Sequence, residues 1–513
     1  MNETTTLVPA KVPRWFWPLL LGLHFMLSAP FLGLPPASVH VWRQCNTMAV
    51  ARNFAEESMN ILRPRVDRRN DTDGVTGMQF PSYEWLVAGI YRLFGFHESL
   101  PRIINWLIGW AGIVAFYQLG RQVSGAAWLG AVGAWCLAWS PELYYHGLNA
   151  LPDVLALSSY IAGLLWFTRW RATRRPGWLA ASLLAVTLAG LTKLQFLVVG
   201  FPMAVFVVRD ALQRRYTRAQ LAQLLGYAVV AVGVPLAWYA YALELIKTSG
   251  LADFGLEIRP AADVAAGLAI IKRNLLSDWP ELLLGYGALG LLLLGLGRLL
   301  RRPPVRHAWF GPGLAWALAL GAYYLLELHQ MEGHTYYMLP FLPLLLLLAA
   351  WGAAWLRPRA APLLLGLLLV QPVWAFARVG WGRWLHGDPD VAPELFAPAS
   401  RAALEAATPA GALCVVGPDV SGCKNFYFLH KKGFGFEQPG QLGQPVANGQ
   451  LYLADCVARG AQYLYTNDAA ALRDPRLRPY LGRQISQVGA FVVWTLRRPG
   501  EPAPSGPAAP APW

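Results

Sequence analysis

The sequence predicts a mainly α-helical, polytopic transmembrane fold of about eleven helices, followed by a small C-terminal α/β soluble domain. Three observations carry that expectation. The 513-residue chain is 55% hydrophobic and only 14% charged, with a mean hydropathy of +0.35, too apolar for the charged surface of a soluble globule. Its apolar residues gather into runs close to the ~20 residues needed to cross ~30 Å of hydrocarbon. Its arginines fall between alternate runs, as the positive-inside rule requires. The net charge of +14 therefore has a topological origin, and no nucleic-acid partner is expected.

The runs are 15–34, 101–120, 126–142, 151–169, 177–192, 194–209, 222–244, 280–298, 308–327, 337–355 and 361–378. The first follows Lys11 and Arg14, and its length and the spans after it mark an uncleaved anchor rather than a signal peptide. With the N-terminus in the cytoplasm, the even-numbered connections hold Arg121; Arg169, Arg171, Arg174 and Arg175; Arg209, Arg214, Arg215 and Arg218; Arg298, Arg301, Arg302 and Arg306; and Arg357 and Arg359. One helix more or fewer would reverse the sign of every later connection. The odd-numbered connections then lie outside, and two are too long for turns, 35–100 and 245–279; long segments of this kind usually carry function. Within the first, Asn46–Glu57 reads as an amphipathic helix and Phe80–Phe94 as a more apolar one, both lying in the interface rather than spanning.

After Arg378 the apolar runs shorten. Ala412–Gly417, Asn425–Leu429, Tyr463–Thr466 and Gly489–Leu496 read as strands, with helices at Ser400–Ala407 and Gln450–Arg459. The expected organisation is a membrane domain over 1–378 that includes both long outer segments, an extracytoplasmic α/β domain over 379–498, and a disordered Pro/Ala-rich tail over 499–513. Of the five cysteines, Cys423 and Cys456 suit a disulfide or two free buried thiols equally well, and no CxxC pair points to a metal.

Ionisable and aromatic residues at the outer membrane face are the candidates for chemistry, because such groups are costly beside hydrocarbon. The first outer segment supplies His40, Trp42, Arg43, Gln44, Arg52, Asp67 and Gln79; the stretch Tyr144–Asp153 supplies Asp153. Lys193 stands alone at a tight outer turn, a positive charge against the topological trend, and it suits either a phosphate partner or snorkelling to the interface. His329, Glu332 and His334 suit donor orientation, acid/base work or a divalent metal, without a recognised zinc spacing. Tyr336 and Tyr337 fit an interfacial aromatic belt or a sugar-stacking surface. Asp67 reads as a carboxylate for proton transfer or a turn residue, Asp153 as a carboxylate or a helix N-cap.

The ordered motifs resemble those of the GT-C glycosyltransferases, in particular the bacterial relatives of protein O-mannosyltransferases and aminoarabinose transferases. Trp42-Arg43-Gln44 leading into Ala51-Arg52-Asn53-Phe54 resembles the start of that family's first outer loop. Phe80-Pro81, then Phe94-Gly95, then Arg102 resembles its next conserved stretch; Leu151-Pro152-Asp153 resembles the acidic opening of helix four, and Leu191-Thr192-Lys193 its LTK turn. The resemblance spans about residues 15–378. Arg43-Gln44 stands where many members have Asp-Glu, and Gln79 where relatives often have Glu or Lys; a subgroup with a Trp-Arg-Gln motif shares the first change. The resemblance implies inverting transfer of a sugar from a polyprenyl-phosphate donor to a lipid, glycan or protein acceptor outside the bacterial inner membrane. Asp67 and Asp153, both assigned to the outer face, are the candidate catalytic carboxylates, and the remaining residues are candidates for substrate binding; no cofactor is fixed by the motifs, with a divalent metal as a candidate. A catalytically silent GT-C-like scaffold and a secondary transporter are the rival readings, the latter needing polar or broken-helix elements near the bilayer midplane in two related halves.

Overall fold

The computed structural model describes residues 12–251, 254, 257–356 and 360–501. Lys11, Arg357, Arg359 and positions 502–513 of the expected tail lie outside the described residues. The chain opens with α1 (Phe16–Ser28), followed by α2 (Val41–Glu56) and α3 (Ser82–Phe94). Next come α4 (Ser99–Ser124), α5 (Ala127–Ala138), the short α6 (Pro141–His146), α7 (Asp153–Thr173), α8 (Pro176–Thr192), α9 (Gly200–Leu212) and α10 (Arg218–Ser249). α11 (Val264–Arg273) continues as a π-helix to Leu284, breaks at Gly285 and turns through 116° into α12 (Tyr286–Arg301). α13 (Phe310–Leu326), the one-turn α14 (Gln330–Gly333), α15 (Leu342–Leu356) and α16 (Ala361–Ala375) complete the series.

Each of the eleven apolar runs is therefore mostly helical, but the run 280–298, expected as one span, is broken at Gly285 by the 116° bend, and 126–142 breaks between α5 and α6. Among the described residues, five helical stretches are long and apolar enough to cross a membrane alone: 99–124, 194–212, 218–249, 335–356 and 361–385; the bent pair makes a sixth. The apolar helices 16–31, 127–138, 176–192 and 310–326 are shorter. The segment expected to be a long outer connection, 245–279, is largely helical, because α10 runs on to Ser249 and helix resumes at Val264.

Contacts divide the chain into two units that do not follow chain order: one of 1–33, 99–241 and 256–387, the other of 34–98, 242–255 and 388–513. In the first, helices close around an apolar core that includes the fully buried Trp139, Trp170 and Trp316. Glycines set the tightest contacts there. A Cβ on Gly295 would overlap the Leu348 carbonyl and one on Gly352 the Leu291 carbonyl, so α12 and α15 touch backbone to backbone.

The second unit is built on a five-stranded sheet of β1 (Leu413–Gly417), β2 (Lys432–Gly435), β3 (Tyr463–Thr466), β4 (Leu481–Val488) and β5 (Phe491–Leu496), in the order β2-β1-β3-β5-β4. β1 is parallel to both β2 and β3, while β5 is antiparallel to β3 and β4. The helices α17 (Pro393–Phe396), α18 (Pro398–Ala406), α19 (Lys424–Leu429) and α20 (Tyr452–Ala458) belong to the same unit. The expected strand at Asn425–Leu429 is thus α19: its residues from Asn425 to Leu429 are all buried, and a short run buried on every side carries no period to separate helix from strand. β2 (Lys-Gly-Phe-Gly) and the polar β4 escaped the sequence reading for want of an alternating apolar pattern. Cys423 and Cys456 are free thiols; Cys456 is fully buried, and the Cys423 sulfur lies 3.2 Å from the Trp42 carbonyl oxygen.

The first outer segment completes this unit. Arg69 and Asn70 donate their backbone N–H groups to Gly433 O at 3.1 and 3.0 Å, and Gly433 N donates to Asp67 O at 3.1 Å, so residues 67–70 cover the outer edge of β2. α2 packs on α3 and α19 and is buried along most of its length, rather than amphipathic at an interface. α3 keeps the expected two-faced character: Tyr83, Glu84, Val87, Ala88 and Tyr91 are buried, while Trp85, Leu86, Leu93 and Phe94 are exposed. Its 13 residues extend only ~20 Å, too short to span.

Candidate functional site

In the helical unit, two residues singled out separately in the sequence meet. Pro152 precedes α7, and Asp153 is its first residue, fully buried, with no hydrogen-bond donor to either carboxylate oxygen. Lys193 sits where α8 stops; its extended backbone (φ −155°) breaks the helix before the 3-10 turn Leu194–Val199. Its ammonium lies 3.5 Å from Asp153 Oδ1, with the side chains 12% and 0% exposed. The same ammonium stands 5.2 Å and 5.1 Å from the ring centres of Tyr336 and Tyr337, which sit in the 3-10 segment Thr335–Phe341. Tyr323 O–H donates to Tyr337 O at 2.8 Å and steadies that segment. His334 packs edgewise on Tyr336 with ring centres 5.6 Å apart. His329 is held through its backbone, its N–H donating to Arg259 O at 3.1 Å.

Tyr336 also connects this pair to a second buried group. His146 packs edgewise against Tyr336 at 5.6 Å, and its Nε2 lies 2.6 Å from Glu142 Oε1. The same Glu142 oxygen accepts from the Thr335 hydroxyl, and Arg383 Nη1 approaches Glu142 Oε2 at 3.6 Å while lying over the Tyr145 ring. Ser140 caps α6, and Pro141 starts it. Arg102, fully buried on α4, donates to Leu148 O at 2.7 Å and Asn149 Oδ1 at 2.8 Å; Asn105 donates to the carbonyls of His146, Asn149 and Leu151. α4 thus fixes the stretch leading to Asp153.

Sequence reasoning missed Glu142 and Arg383. Glu142 looked like the end of an apolar run and Arg383 like the start of the soluble region, whereas helix continues as a π-turn to Leu385. The only available signal was an acid beside the helix-starting Pro141.

The candidates of the first outer segment lie in the other unit. Arg52 donates to Asp67 Oδ2 at 3.1 Å and to the Tyr427 carbonyl at 3.3 Å; Asn53 donates to Asp67 Oδ1 at 2.8 Å. Arg52 and Asp67 are 5% and 3% exposed, a closed pair engaged with each other and with α19. Gln44 donates to Ala37 O at 3.1 Å, Arg43 lies over the Phe254 ring at 4.9 Å, and Gln79 donates to Glu84 Oε1 at 3.4 Å. His40, the N-cap of α2, has a left-handed backbone (φ +59°), uncommon for a residue with a Cβ. Trp42, half-buried, lines a surface cavity. Among the described residues no three His, Cys, Asp or Glu side chains are grouped to hold a metal ion, so His329, Glu332 and His334 do not assemble a donor set.

The chain thus combines a many-helix unit, several of whose helices are long and apolar enough to cross a membrane, with a long segment after the first helix and a C-terminal sheet. Residues 79–239 match the family model for dolichyl-phosphate-mannose-protein mannosyltransferase. In structure the chain is similar to ArnT from Cupriavidus metallidurans in its apo state, at 17% identity and a TM-score of 0.61, covering 94% of this chain and 97% of that one. The same protein bound to undecaprenyl phosphate matches at 15% identity and a TM-score of 0.60, covering 94% and 98%. The archaeal oligosaccharyltransferase AglB from Archaeoglobus fulgidus, in complex with an inhibitory peptide and a dolichol-phosphate, matches at 13% identity and a TM-score of 0.54, covering 95% and 75%. At such identities the likeness is one of fold. None of the curated proteins matches the chain in sequence.

Proposed function

We propose that this multi-pass membrane protein is a glycosyltransferase that moves a sugar from a polyprenyl-phosphate donor to an extracytoplasmic acceptor with inversion. It would reside in the bacterial inner membrane with its N-terminus in the cytoplasm and its C-terminal domain outside. The buried Lys193–Asp153 pair beneath Tyr336 and Tyr337 carries this reading. A buried ion pair is a poor source of stability, so a charged pair kept at the ends of two apolar helices suits a task. The lipid phosphates held by ArnT and AglB support a polyprenyl-phosphate donor for this chain.

The donor phosphate takes Lys193 as its counter-ion and so frees the Asp153 carboxylate. The acceptor oxygen attacks the anomeric carbon from the face opposite the phosphate, and the carbon–oxygen bond to phosphate breaks with its electron pair on the phosphate. Asp153 takes the proton of the acceptor hydroxyl. Lys193 stabilises the charge developing on the leaving phosphate. The Arg52–Asp67 pair ties the first outer segment to the Tyr427 carbonyl of α19.

The test is transfer from labelled polyprenyl-phosphate sugars by the purified full chain, supplied with a membrane extract as acceptor. Asp153→Asn and Lys193→Ala are each expected to lower the rate by about 100-fold or more while the protein inserts normally. Wild-type rates in both variants would remove the pair from the mechanism, whereas absence of transfer by the wild-type chain itself would leave the silent scaffold as the better reading.

A further inference from the structure

The sheet of the second unit has the strand order of a site. β1 is followed by β2 on one side, and β3 then returns to the other side of β1, so the chain reverses direction between β1 and β3. In an open sheet with parallel strands the loops leaving the carboxyl ends part at such a switch point and leave a crevice where ligands bind. A cavity of about 800 Å³ lies there, within the size range of small-ligand sites. It is lined by the loop after β1 (Pro418 to Asn425), the loop after β2 (Glu437 to Pro439) and Asn467 directly after β3. Trp42 from the start of α2, Asp388, Asp390, Val391, Ala392 and Phe491 complete the wall.

The lining chemistry narrows the ligand. Four carboxylates, Asp388, Asp390, Asp419 and Glu437, face one cation, Lys424, which is itself tied to Asp390 at 3.1 Å; Arg68 reaches Glu437 only at 3.8 Å. That acidic excess disfavours a phosphate or uronate. Asp419 is occupied in holding the loop, accepting from the backbone N–H and hydroxyl of Ser421 and from Asn425 N–H at 2.7 to 3.1 Å. The exposed Gln438 and Asn467 side chains, and the outward carboxylates, offer the paired donors and acceptors that a ring of hydroxyls matches. Trp42 adds an aromatic wall for the C–H face of a sugar.

We propose that this crevice binds a neutral or amine-bearing oligosaccharide, and, resting on the transferase reading above, that the oligosaccharide is the acceptor. A peptide acceptor is disfavoured because the sheet edge beside the crevice, that of β2, is already paired with residues 67–70. The experiment is titration calorimetry on the full chain in detergent, without donor, against an N-acetylated chitin oligomer, a chitosan oligomer and an oligogalacturonate. The chitin or chitosan oligomer is expected to bind, the oligogalacturonate at least about tenfold more weakly. Asn467→Trp and Gln438→Trp, which fill the crevice from two loops at exposed positions, are each expected to weaken binding about tenfold or more with thermal unfolding unchanged. Failure of both the chitin and the chitosan oligomer to bind, oligogalacturonate binding as tightly as the others, or affinity unmoved in both variants overturns the site. A wild type that binds the oligomer yet transfers no sugar keeps the site and removes its acceptor role; one that transfers to a glycan it cannot bind here refutes the site alone.

Discussion

His430 shows how much a single side chain can be made to do by what surrounds it. It ends α19 with a left-handed backbone (φ +50°), its Nδ1 lies 2.8 Å from Glu405 and its Nε2 3.1 Å from Glu56. Both ring nitrogens face carboxylates, so both must carry protons, which defines the imidazolium. The bonds to Glu405 and Glu56 raise its pKa against the opposing pull of burial and Arg52. A raised folded value means the stabilisation is complete below the unfolded pKa of about 6.5 and is lost as pH rises through the folded value. The thermal midpoint of the purified chain is therefore expected to fall as the buffer goes from mildly acidic to mildly alkaline. The loss should be on the order of 1 kcal/mol or less, because these pairs are partly solvated. In His430→Gln that slope should flatten; an unchanged slope would assign the effect elsewhere. None of this was visible in the sequence, where His430, Glu56 and Glu405 share no motif. Lys193 and Asp153 were each legible, because a charge at the edge of an apolar run is conspicuous, but their pairing was not. Arg52 and Asp67 were legible as charged residues and illegible as a pair, since only the fold closes fifteen residues of chain onto α19.

The elements were read more completely than their contacts. A helix of twenty apolar residues announces itself by length and composition, and the runs proved mainly helical, though the break at Gly285 inside 280–298 was not legible in its apolar pattern. The sheet domain was read less well, because four- to six-residue elements such as β2 and α19 are decided by neighbours rather than by their own pattern. β2 makes the point with an outcome attached. Its inner edge pairs with β1, and its outer edge pairs with residues 67–70, more than three hundred positions earlier. Arg52 holds the Tyr427 carbonyl of the helix that leads into it. A fragment of residues 388–498 keeps every strand but loses both supports, leaving an open strand edge, which is a template for aggregation. Expressed alone, it is expected to be insoluble or to bind a hydrophobic dye and lack a cooperative thermal transition. Co-expression with a fragment of residues 34–98 should restore solubility and the transition. A soluble, cooperatively folding 388–498 fragment would show that the edge cover is dispensable.

At the scale of the whole molecule, sidedness decides whether the proposed chemistry faces the acceptor. Within the helical unit the two ends of the helices are chemically distinct. At one end Arg171, in the last turn of α7, forks onto the carboxylate of Asp210 near the end of α9 at 2.5 and 2.9 Å, beside Arg215 and Tyr216 of the connection to α10. At the other end lie the Lys193–Asp153 pair and the Glu142–His146–Thr335 group. Arginine retained at one end of alternating connections is the cytoplasmic mark, since translocating such loops is disfavoured. With the eleven crossings expected from the sequence, the chain beyond α16 is expected on the opposite side. Alkaline phosphatase, active only after export, is accordingly expected to be silent when fused after Arg214 and active when fused after Arg498, with a cytoplasm-dependent fluorescent reporter giving the reverse pattern. Phosphatase activity at Arg214 and silence at Arg498 would put Asp153 and Lys193 on the cytoplasmic face. Activity at both sites, or at neither, would mean an even number of crossings between them and would detach the sheet domain from the side on which Asp153 and Lys193 act.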